Sequence, residues 1–308
     1  MTTHNNQTSP AAVRRSLGDR LRAEAKHRGR PTGDVRREFV FQRFLARLFT
    51  DPDCQWVLKG GTGLLVRIRE ARYSKDIDLV VPGEAFDLDD AVDSLRADIR
   101  TDTGDHLTFA IDSVTRPSGG QSGAMLRVTC YTGATPFERF TIDVSTRTNV
   151  IAQLDRVRPQ QVIEIAGAEP LPEFVLYPLP DQIADKVCAM YGRYGATNMP
   201  STRYRDLVDL VLIATTNELD AVLTIRALQG ETARRGCTLP AQIEDPGPEW
   251  QASYARIARE SNLPNELQAL DGALEAAGAC LNPIMAGTAT GTWNPDTKRW
   301  GGSALPIR

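Results

Sequence analysis

Two aspartates separated by one residue stand in an apolar segment that follows a glycine-rich turn. Val57–Gly63 reads VLKGGTG, and Ser74–Val81 reads SKDIDLVV. Side chains of a β-strand alternate between its faces, so Asp76 and Asp78 project together. Two carboxylates this close repel each other unless a cation lies between them, and a divalent metal ion is the usual solution. The pattern therefore predicts a carboxylate metal site on a strand.

The glycine-rich turn adds a predicted anion site. Gly60 and Gly61 leave backbone N–H groups open to a phosphate, and Lys59 and Thr62 bring a charge and a hydroxyl. Gly-Gly occurs in many ordinary turns, so this turn gains its meaning from the aspartates that follow it. Together, the turn and the aspartates predict a site for a metal-bound nucleotide.

Ser74 is a further candidate for contact with the nucleotide. It lies two residues before Asp76, so an extended backbone places both side chains on one face. Its hydroxyl would bond the backbone or the bound phosphates. Alternatively, a phosphoryl group on Ser74 or Thr62 would add negative charge and repel the triphosphate.

A third carboxylate follows in a predicted β-hairpin. Met125–Tyr131 and Phe140–Val144 are two strand-like segments joined by a turn that contains Gly and Pro. Asp143 lies on the face of the second segment opposite its apolar residues. If this strand lies beside Ile77–Val81, Asp143 joins the first two aspartates as a metal ligand.

The pattern as a whole predicts a small mixed sheet with helices, followed by a helical second domain, which is an α/β (α+β) architecture. The predicted helices are Ala11–Phe49, Gly63–Arg69, Leu88–Asp98, Asp181–Tyr194, Arg203–Thr215, Leu219–Arg235, Pro248–Glu260 and Asn265–Gly278. Further strands are predicted at Val57–Leu58 and Val162–Ile165. The proline-rich stretch Pro170–Pro180 separates predicted domains of residues 1–170 and 171–308, and the last thirty residues are predicted as surface coil.

Three charged residues of the helical part are ambiguous by local pattern. Lys186 borders the apolar face of its helix, where a lysine commonly covers the core with its stem and keeps its ammonium in water. Asp206 and Asp209 are three residues apart, so they share one side of a helix and could form surface ion pairs with the flanking arginines. Local spacing alone gives no reason to place these residues in a site.

Composition and charge limit the class of protein. Hydrophobic residues make up 41% and charged residues 24%, as in ordinary globular proteins. No apolar run approaches the ~20 residues of a membrane span, and the N-terminus lacks the apolar core of a secretory signal. Five scattered cysteines without a C-x-x-C pair favour reduced thiols, and three histidines form no ligand pair. We expect a cytoplasmic protein with no membrane partner.

The net charge of −3 hides a basic segment near the N-terminus. Between Val13 and Arg47 there are eleven Lys or Arg residues and four acids. Such a segment could follow the phosphate backbone of a nucleic acid, or it could be an ordinary solvated helix face.

Four blocks in this order resemble the AbiEii family of nucleotidyltransferase toxins, to which the mycobacterial MenT toxins belong. They are Lys-Gly-Gly-Thr-x-Leu from Lys59, Arg-x-Ser-x-Asp-Ile-Asp-Leu from Arg72, the helical Lys186, and Arg-Asp-x-x-Asp-Leu from Arg205. The first two blocks are fairly specific together. The resemblance covers roughly residues 40–215.

The resemblance implies a polymerase-beta-like nucleotidyltransferase domain with a C-terminal helical domain, and Mg²⁺-dependent transfer of a nucleoside monophosphate from an NTP. It implies that Gly61 and Thr62 cradle the triphosphate and that Asp76 and Asp78 hold metal. It also implies that Lys186 contacts the phosphates and that Asp206 completes the site. The best-described members act on the tRNA 3′ end and are neutralised by a cognate antitoxin.

The resemblance thus implies a toxin that transfers a nucleotide to an RNA acceptor, such as the tRNA 3′ end, and so blocks translation and growth. Two Mg²⁺ ions would stabilise the attacking and leaving oxygens, and Asp143 or an aspartate-bound metal would help to deprotonate the acceptor. One alternative is transfer to a protein hydroxyl, over which the basic segment favours RNA. The other is a non-catalytic module that binds nucleotide or nucleic acid, which would have no need of both aspartates together with Lys186 and Asp206.

Overall fold

The computed structural model of the chain describes residues 9–83, 87–116, 123–195, 198–261 and 263–302. The chain divides into two units, each with its own contacts. The first unit runs to Arg67 and continues in Tyr73–Asn149 and Arg156–Leu176; the second takes Ile68–Arg72, Val150–Asp155 and the chain from Tyr177 onward. The last change of unit falls inside the proline-rich stretch, whereas the two short segments of the second unit were not predicted.

The first unit combines helices with a mixed sheet. Its helices are α1 (Pro10–Arg28), α2 (Thr32–Phe49), α3 (Gly60–Arg67) and α4 (Leu88–Asp98). Its strands are β1 (Val57–Lys59), β2 (Asp76–Pro82), β3 (Leu107–Thr115), β4 (Gly123–Thr132), β5 (Thr135–Thr148), β6 (Asp155–Val157) and β7 (Phe174–Leu176). Within the described residues these seven strands form one sheet in the order β3-β4-β5-β2-β1-β7-β6. The predicted mixed α/β architecture is therefore confirmed.

The centre of this sheet places the polar face of β2 beside that of β5. The two strands pair in parallel, and β1 pairs with β2 in antiparallel. Ile77 and Leu79 are fully buried on one face of β2, so the two aspartates between and before them lie on the other face. On β5, Ile142 and Val144 are buried in the same way. Apolar alternation therefore sets which face the carboxylates occupy.

The hairpin of β4 and β5 is confirmed, whereas the strand predicted at Val162–Ile165 is wrong. The backbone N–H of Val162 donates to the side-chain oxygen of Gln42 at 3.0 Å, and the amide nitrogen of Gln42 donates to the carbonyl of Gln160 at 2.7 Å. The side chain of Gln42 on α2 therefore takes up the backbone hydrogen bonds of this segment, and the segment does not pair with a strand of the sheet. The sheet instead takes β3, β6 and β7, which the sequence did not predict.

Two of the basic residues near the N-terminus belong to the core of the first unit. Arg43 and Arg47 on α2 both donate to the carboxylate of Asp105, at 2.8 Å and at 2.7 and 2.9 Å respectively. All three side chains are at most 1% exposed. These two arginines are therefore unavailable to a phosphate backbone, which corrects the interpretation of the whole segment as a phosphate-tracking surface.

The second unit is mainly helical. Its helices are α5 (Leu179–Met190), α6 (Tyr204–Thr216), α7 (Ala221–Arg235), α8 (Trp250–Glu260) and α9 (Leu270–Met285), with one 3-10 turn at Asn265–Leu267. Its short strands are β8 (Arg193–Tyr194), β9 (Met199–Pro200), β10 (Leu219–Asp220), β11 (Thr292–Asn294) and β12 (Arg299–Gly301). None of the helices within the described ranges is long and apolar enough to cross a bilayer.

The C-terminal residues are part of the core of the second unit, so the prediction of surface coil is wrong. Trp293 is 1% exposed and its indole N–H donates to the carbonyl of Ala214 at 2.7 Å. Trp300 donates to the carbonyl of Cys280 at 2.8 Å. Two tryptophans with satisfied indole groups thus anchor the β11–β12 hairpin on α6 and α9.

Candidate functional site

Three carboxylates lie on one face of the sheet in the first unit. Asp76 and Asp78 belong to β2, and Asp143 pairs in register with Asp78 across the parallel β2–β5 ladder. Registered residues of parallel strands project to the same face, so the predicted grouping of Asp143 with the first two aspartates matches the strand pairing. The three carboxylates stand at the polar side of the two strands.

Two hydroxyl groups hold Asp76 in place. Ser74 donates to its Oδ1 at 2.7 Å, and Thr62 donates to its backbone carbonyl at 2.7 Å. Both donors are at most 5% exposed. The hydroxyl protons of Ser74 and Thr62 are therefore directed at Asp76, and contact of either residue with a phosphate stays a prediction. Their burial also gives a modifying enzyme no direct access to either oxygen.

The glycine-rich segment is the first turn of helix α3 rather than a turn ahead of it. Gly60, Gly61 and Thr62 are the first three residues of this helix, three residues earlier than predicted. The first backbone N–H groups of a helix have no partner within it and face an anion favourably. Lys59 ends β1 directly opposite Asp78 in the antiparallel ladder. The predicted phosphate-binding residues thus lie beside the carboxylate face.

The electrostatics of the carboxylates suit a hard divalent cation. Partial burial, followed by the charge of Asp76, raises the pKa of Asp143 above its usual range. A cation between these groups would relieve that repulsion, and carboxylate oxygens are the ligands that Mg²⁺ prefers. Among the described residues, no three His, Cys, Asp or Glu side chains are already arranged as a metal cage. Carboxylate oxygens are the donor type that Mg²⁺ requires, and Asp76, Asp78 and Asp143 stay its predicted ligands.

The second unit buries an ion cluster around Lys186. The ammonium of Lys186 on α5 donates to Asp209 Oδ2 at 2.6 Å and to Asp206 Oδ1 at 3.2 Å, both on α6. The side chains of all three residues are at most 7% exposed. Neither a solvated lysine nor surface ion pairs describe them, so both of those interpretations are wrong.

Two arginines complete this cluster. Arg72 donates through Nε and a terminal nitrogen to the two oxygens of Asp209, at 3.0 and 2.9 Å. Arg203 forms an ion pair with Asp206. Arg72 and Asp209 each belong to one of the quoted sequence motifs, but local pattern predicted no site role for either residue. The one signal for them is that Arg72 stands in the same motif as Ser74 and the two aspartates of β2.

The charges in this cluster stabilise each other's ionised forms. Burial acts to lower the pKa of Lys186, but the charges of Asp209 and then Asp206 outweigh it and raise that pKa. Burial acts to raise the pKa of Asp209, but Arg72 and Lys186 outweigh it and lower that pKa. Lys186 is therefore held as an ammonium in a nearly dry environment.

A mixed sheet that presents paired aspartates beside a glycine-rich helix N-terminus defines the chain as a nucleotidyltransferase. A model of the family described as nucleotidyl transferase AbiEii toxin, type IV toxin–antitoxin system, matches residues 43–276. The match covers more than half of the chain, so the chain belongs to the AbiEii family of nucleotidyltransferase toxins. Membership of a toxin–antitoxin family implies an antitoxin partner.

A solved structure agrees with the fold. The chain is similar to MenT4, a nucleotidyltransferase toxin from Mycobacterium tuberculosis H37Rv, with 22% identity and a TM-score of 0.52 over 87% of this chain and 98% of that one. It is also similar to JHP933 from Helicobacter pylori, with 16% identity and a TM-score of 0.43 over 80% of this chain and 89% of that one. At 22% identity the likeness to MenT4 establishes the fold alone. No curated protein sequence matches the chain.

Proposed function

We propose that the chain transfers a nucleoside monophosphate from an NTP to the 3′ end of tRNA, or to another RNA, with Mg²⁺ as cofactor. The observation that carries this proposal is the in-register pairing of Asp78 with Asp143 beside Asp76 on one sheet face. Attachment of a nucleotide to the 3′ end would block aminoacylation and so translation and growth. A toxin of this kind requires its cognate antitoxin in the cytoplasm.

The proposed reaction is a displacement at the α-phosphorus of the NTP. The 3′ hydroxyl of the acceptor forms the new phosphodiester bond, and pyrophosphate leaves. The backbone N–H groups of Gly60, Gly61 and Thr62 would bind the phosphates, with Lys59 nearby as a charge. Lys186 would supply positive charge to the phosphates, and Asp206 would fix its ammonium. In the bound state Mg²⁺ would neutralise charge on the phosphate oxygens.

Asp143 is the proposed acceptor of the proton from the attacking hydroxyl. In the metal-free protein, burial and the charge of Asp76 raise the pKa of Asp143; in the reaction, either Asp143 or an aspartate-bound metal would help to take the proton. Ser74 and Thr62 would keep Asp76 in one orientation, so that its position does not change during the reaction. Most of the rate enhancement would come from such positioning and from electrostatics.

The acceptor and the nucleotide are tested in one assay. Each of the four labelled NTPs is incubated with the protein, Mg²⁺, and a mixture of cellular RNA and protein. Label in tRNA supports the proposal, label in a polypeptide supports transfer to protein, and no label with retained NTP binding supports a non-catalytic module. Asp78→Asn should abolish labelling, whereas Asp93→Asn, on the exposed side of α4, should not.

A further inference from the structure

Five side chains in the second unit form one continuous line of alternating charges. Each neighbour in the line is joined by at least one hydrogen bond or ion pair. In order, they are Arg72, Asp209, Lys186, Asp206 and Arg203. Three positive and two negative charges leave a net positive charge, and Lys186 stands in the middle of the line.

The fork of Arg72 fixes the plane of the Asp209 carboxylate. A guanidinium presents two parallel N–H groups, and here each reaches a different oxygen of Asp209, at 3.0 and 2.9 Å. Oδ2 of Asp209 accepts from Arg72 and from Lys186, the latter at 2.6 Å. Because the carboxylate cannot rotate without losing one arm of the fork, the position of the Lys186 ammonium depends on Arg72.

Stability alone does not account for such a cluster. Taking several charges out of water is unfavourable, and well-packed apolar residues of similar volume are often at least as stable. Asp209 is completely buried and the side chain of Lys186 is 7% exposed. A dry, precharged lysine with two fixed carboxylates is instead the arrangement expected where one ammonium must stay charged and in one place.

We propose that Arg72 and Asp209 are positioning residues that hold the Lys186 ammonium for phosphate binding during nucleotidyl transfer. This inference rests on the proposed function, because it takes Lys186 as the phosphate ligand. The hydrogen bonds that the structure describes join Arg72 to Lys186 through Asp209. The effect of Arg72 on the reaction therefore passes through Lys186 and disappears when Lys186 is absent.

A double-mutant cycle tests this dependence. Arg72→Met should lower kcat/KM for the NTP by about 10²-fold, as expected when a reacting group is displaced by about 1 Å. The kcat/KM of Arg72→Lys should lie between the values of wild type and Arg72→Met, because a single ammonium cannot hold both carboxylate oxygens. In a Lys186→Met background, Arg72→Met should cause no further loss. Arg259→Met, on the exposed side of α8, serves as the matched control.

A second readout separates positioning from a purely structural role. Asp209→Asn removes the largest influence that raises the pKa of Lys186, while Asp206, Arg72 and Arg203 remain. On the alkaline side of the pH profile, the transfer rate of Asp209→Asn should therefore begin to fall at a lower pH than that of wild type. The reason is that deprotonated Lys186 cannot bind phosphate as a cation. Rates are compared at a temperature where circular dichroism shows each variant folded. If Arg72→Met does not fold, Arg72→Lys and Asp209→Asn are tested in the same cycle.

The outcomes distinguish this inference from the function on which it rests. Full activity of folded Arg72→Lys and Asp209→Asn, with Lys186→Met strongly impaired but still measurable, would overturn the positioning role and leave the proposed function intact. Equal losses from Arg72→Met with and without Lys186 would also overturn it. Full activity of Lys186→Met would show that Lys186 does not bind the phosphates. That result would overturn both its proposed role in transfer and the positioning role of Arg72 and Asp209.

Discussion

The carboxylate of Asp78 occupies the space that a side chain on Gly60 would require. A Cβ at Gly60 would overlap Oδ2 of Asp78 and lie 2.6 Å from its Cγ. Gly60 also has a φ of +68°, in the left-handed region that other residues rarely adopt. Gly60 is therefore required for two reasons: the backbone has a left-handed conformation there, and the carboxylate of Asp78 approaches too closely for a side chain.

Gly60→Ala should abolish nucleotidyl transfer by displacing Asp78. The left-handed backbone adds roughly 1–2 kcal/mol of strain for an L side chain, so the free energy of unfolding should also fall. The assay is the transfer rate of the folded variant, with thermal unfolding measured in parallel.

Gly18→Ala is the matched control for Gly60→Ala. Gly18 lies inside α1, and a Cβ there would meet nothing within 4 Å. Alanine should keep full activity and stabilise the helix by roughly 0.5–1 kcal/mol. Normal transfer by Gly60→Ala would show that Asp78 can move without loss, and would argue against its role as a metal ligand.

Asp76→Ala should abolish transfer while the folded state remains as stable or becomes more stable at neutral pH. Asp143 has a raised pKa in the folded state, so its ionised form is disfavoured there. Its contribution to stability is present at low pH and is lost as pH rises through the folded pKa. Without the charge of Asp76, the stability lost on ionisation of Asp143 should be smaller. The free energy of unfolding of Asp76→Ala should therefore exceed that of wild type by an amount that grows as pH rises above the usual range for aspartate.

Chemical denaturation of the metal-free protein at several pH values checks this prediction. Asp93→Ala, an exposed position on α4, is the control for loss of an aspartate as such. Unfolding of Asp76→Ala would assign Asp76 a structural role instead. Retained transfer would exclude it from the metal site.

Ser74→Ala should lower kcat more than it raises KM for the NTP. The hydroxyl of Ser74 donates to Asp76 Oδ1, so its loss frees the carboxylate to rotate without removing a phosphate contact. We expect a loss of kcat of about 10-fold or more, because a hydrogen bond to a charged group contributes roughly 1.5–3 kcal/mol and about 1.4 kcal/mol corresponds to a tenfold change in rate. Steady-state kinetics over a range of NTP concentrations separates the two constants. A rise in KM with unchanged kcat would instead indicate direct contact of Ser74 with the phosphates.

The local pattern of the sequence predicts the carboxylate face well because apolar and polar residues alternate strongly along its two strands. Ile77 and Ile142 mark the buried faces of β2 and β5, and their neighbours follow from the period of two. The start of α3 was placed three residues late, because glycines are read as a turn although they can also begin a helix.

Contacts between distant residues could not be predicted in this way. Arg72 and Asp209 are separated by 137 positions, and nothing local pairs them. Trp293 follows a stretch rich in Gly and Thr that resembles coil, yet its partner carbonyl at Ala214 is 79 positions away. Burial of Arg43 and Arg47 likewise depends on Asp105, which reaches them from a different part of the chain.

Asp105→Asn should destabilise the first unit strongly. Burial opposes ionisation of Asp105, but hydrogen bonds and charge from Arg47 and then Arg43 outweigh it and lower its pKa to about 2. An amide would leave two buried guanidinium groups without their anion, which costs about 3–5 kcal/mol when a buried pair is broken. Thermal and urea unfolding at neutral pH measure this loss.

The pH dependence of the same residue gives an independent check. A carboxylate with a lowered folded pKa contributes stability above its unfolded pKa, and that stability is lost as pH falls. For Asp105 this loss should occur as pH falls from about 4 to about 2, and the contribution to the free energy of unfolding is about 2 kcal/mol. Asp105→Asn should lack this part of the acid transition, whereas Asp102→Asn, on an exposed neighbour, should retain it. An unchanged acid transition in Asp105→Asn would refute the assignment.

If α1 holds an RNA acceptor, three of its basic residues should carry the salt dependence of RNA binding. Arg15, Arg22 and Lys26 are exposed and lie on one side of the helix, at spacings of seven and four residues. Arg14 and Arg20 instead donate to the backbone carbonyls of Pro136 and Glu164, so they are left unchanged.

Replacing the three exposed residues by Ser should weaken RNA binding and reduce the slope of log K against log salt by about 2–3, because each phosphate contact contributes about 0.7–0.9 through counterion release. NTP binding should stay unchanged. Replacement of three exposed arginines of the second unit, Arg226, Arg256 and Arg259, is the control for loss of positive charge in general. A slope equal to that of wild type in the α1 variant, measured by filter binding with tRNA from 50 to 200 mM salt, would show that this face of α1 does not bind the acceptor. Loss of antitoxin binding in the same variant would then assign the face to the antitoxin.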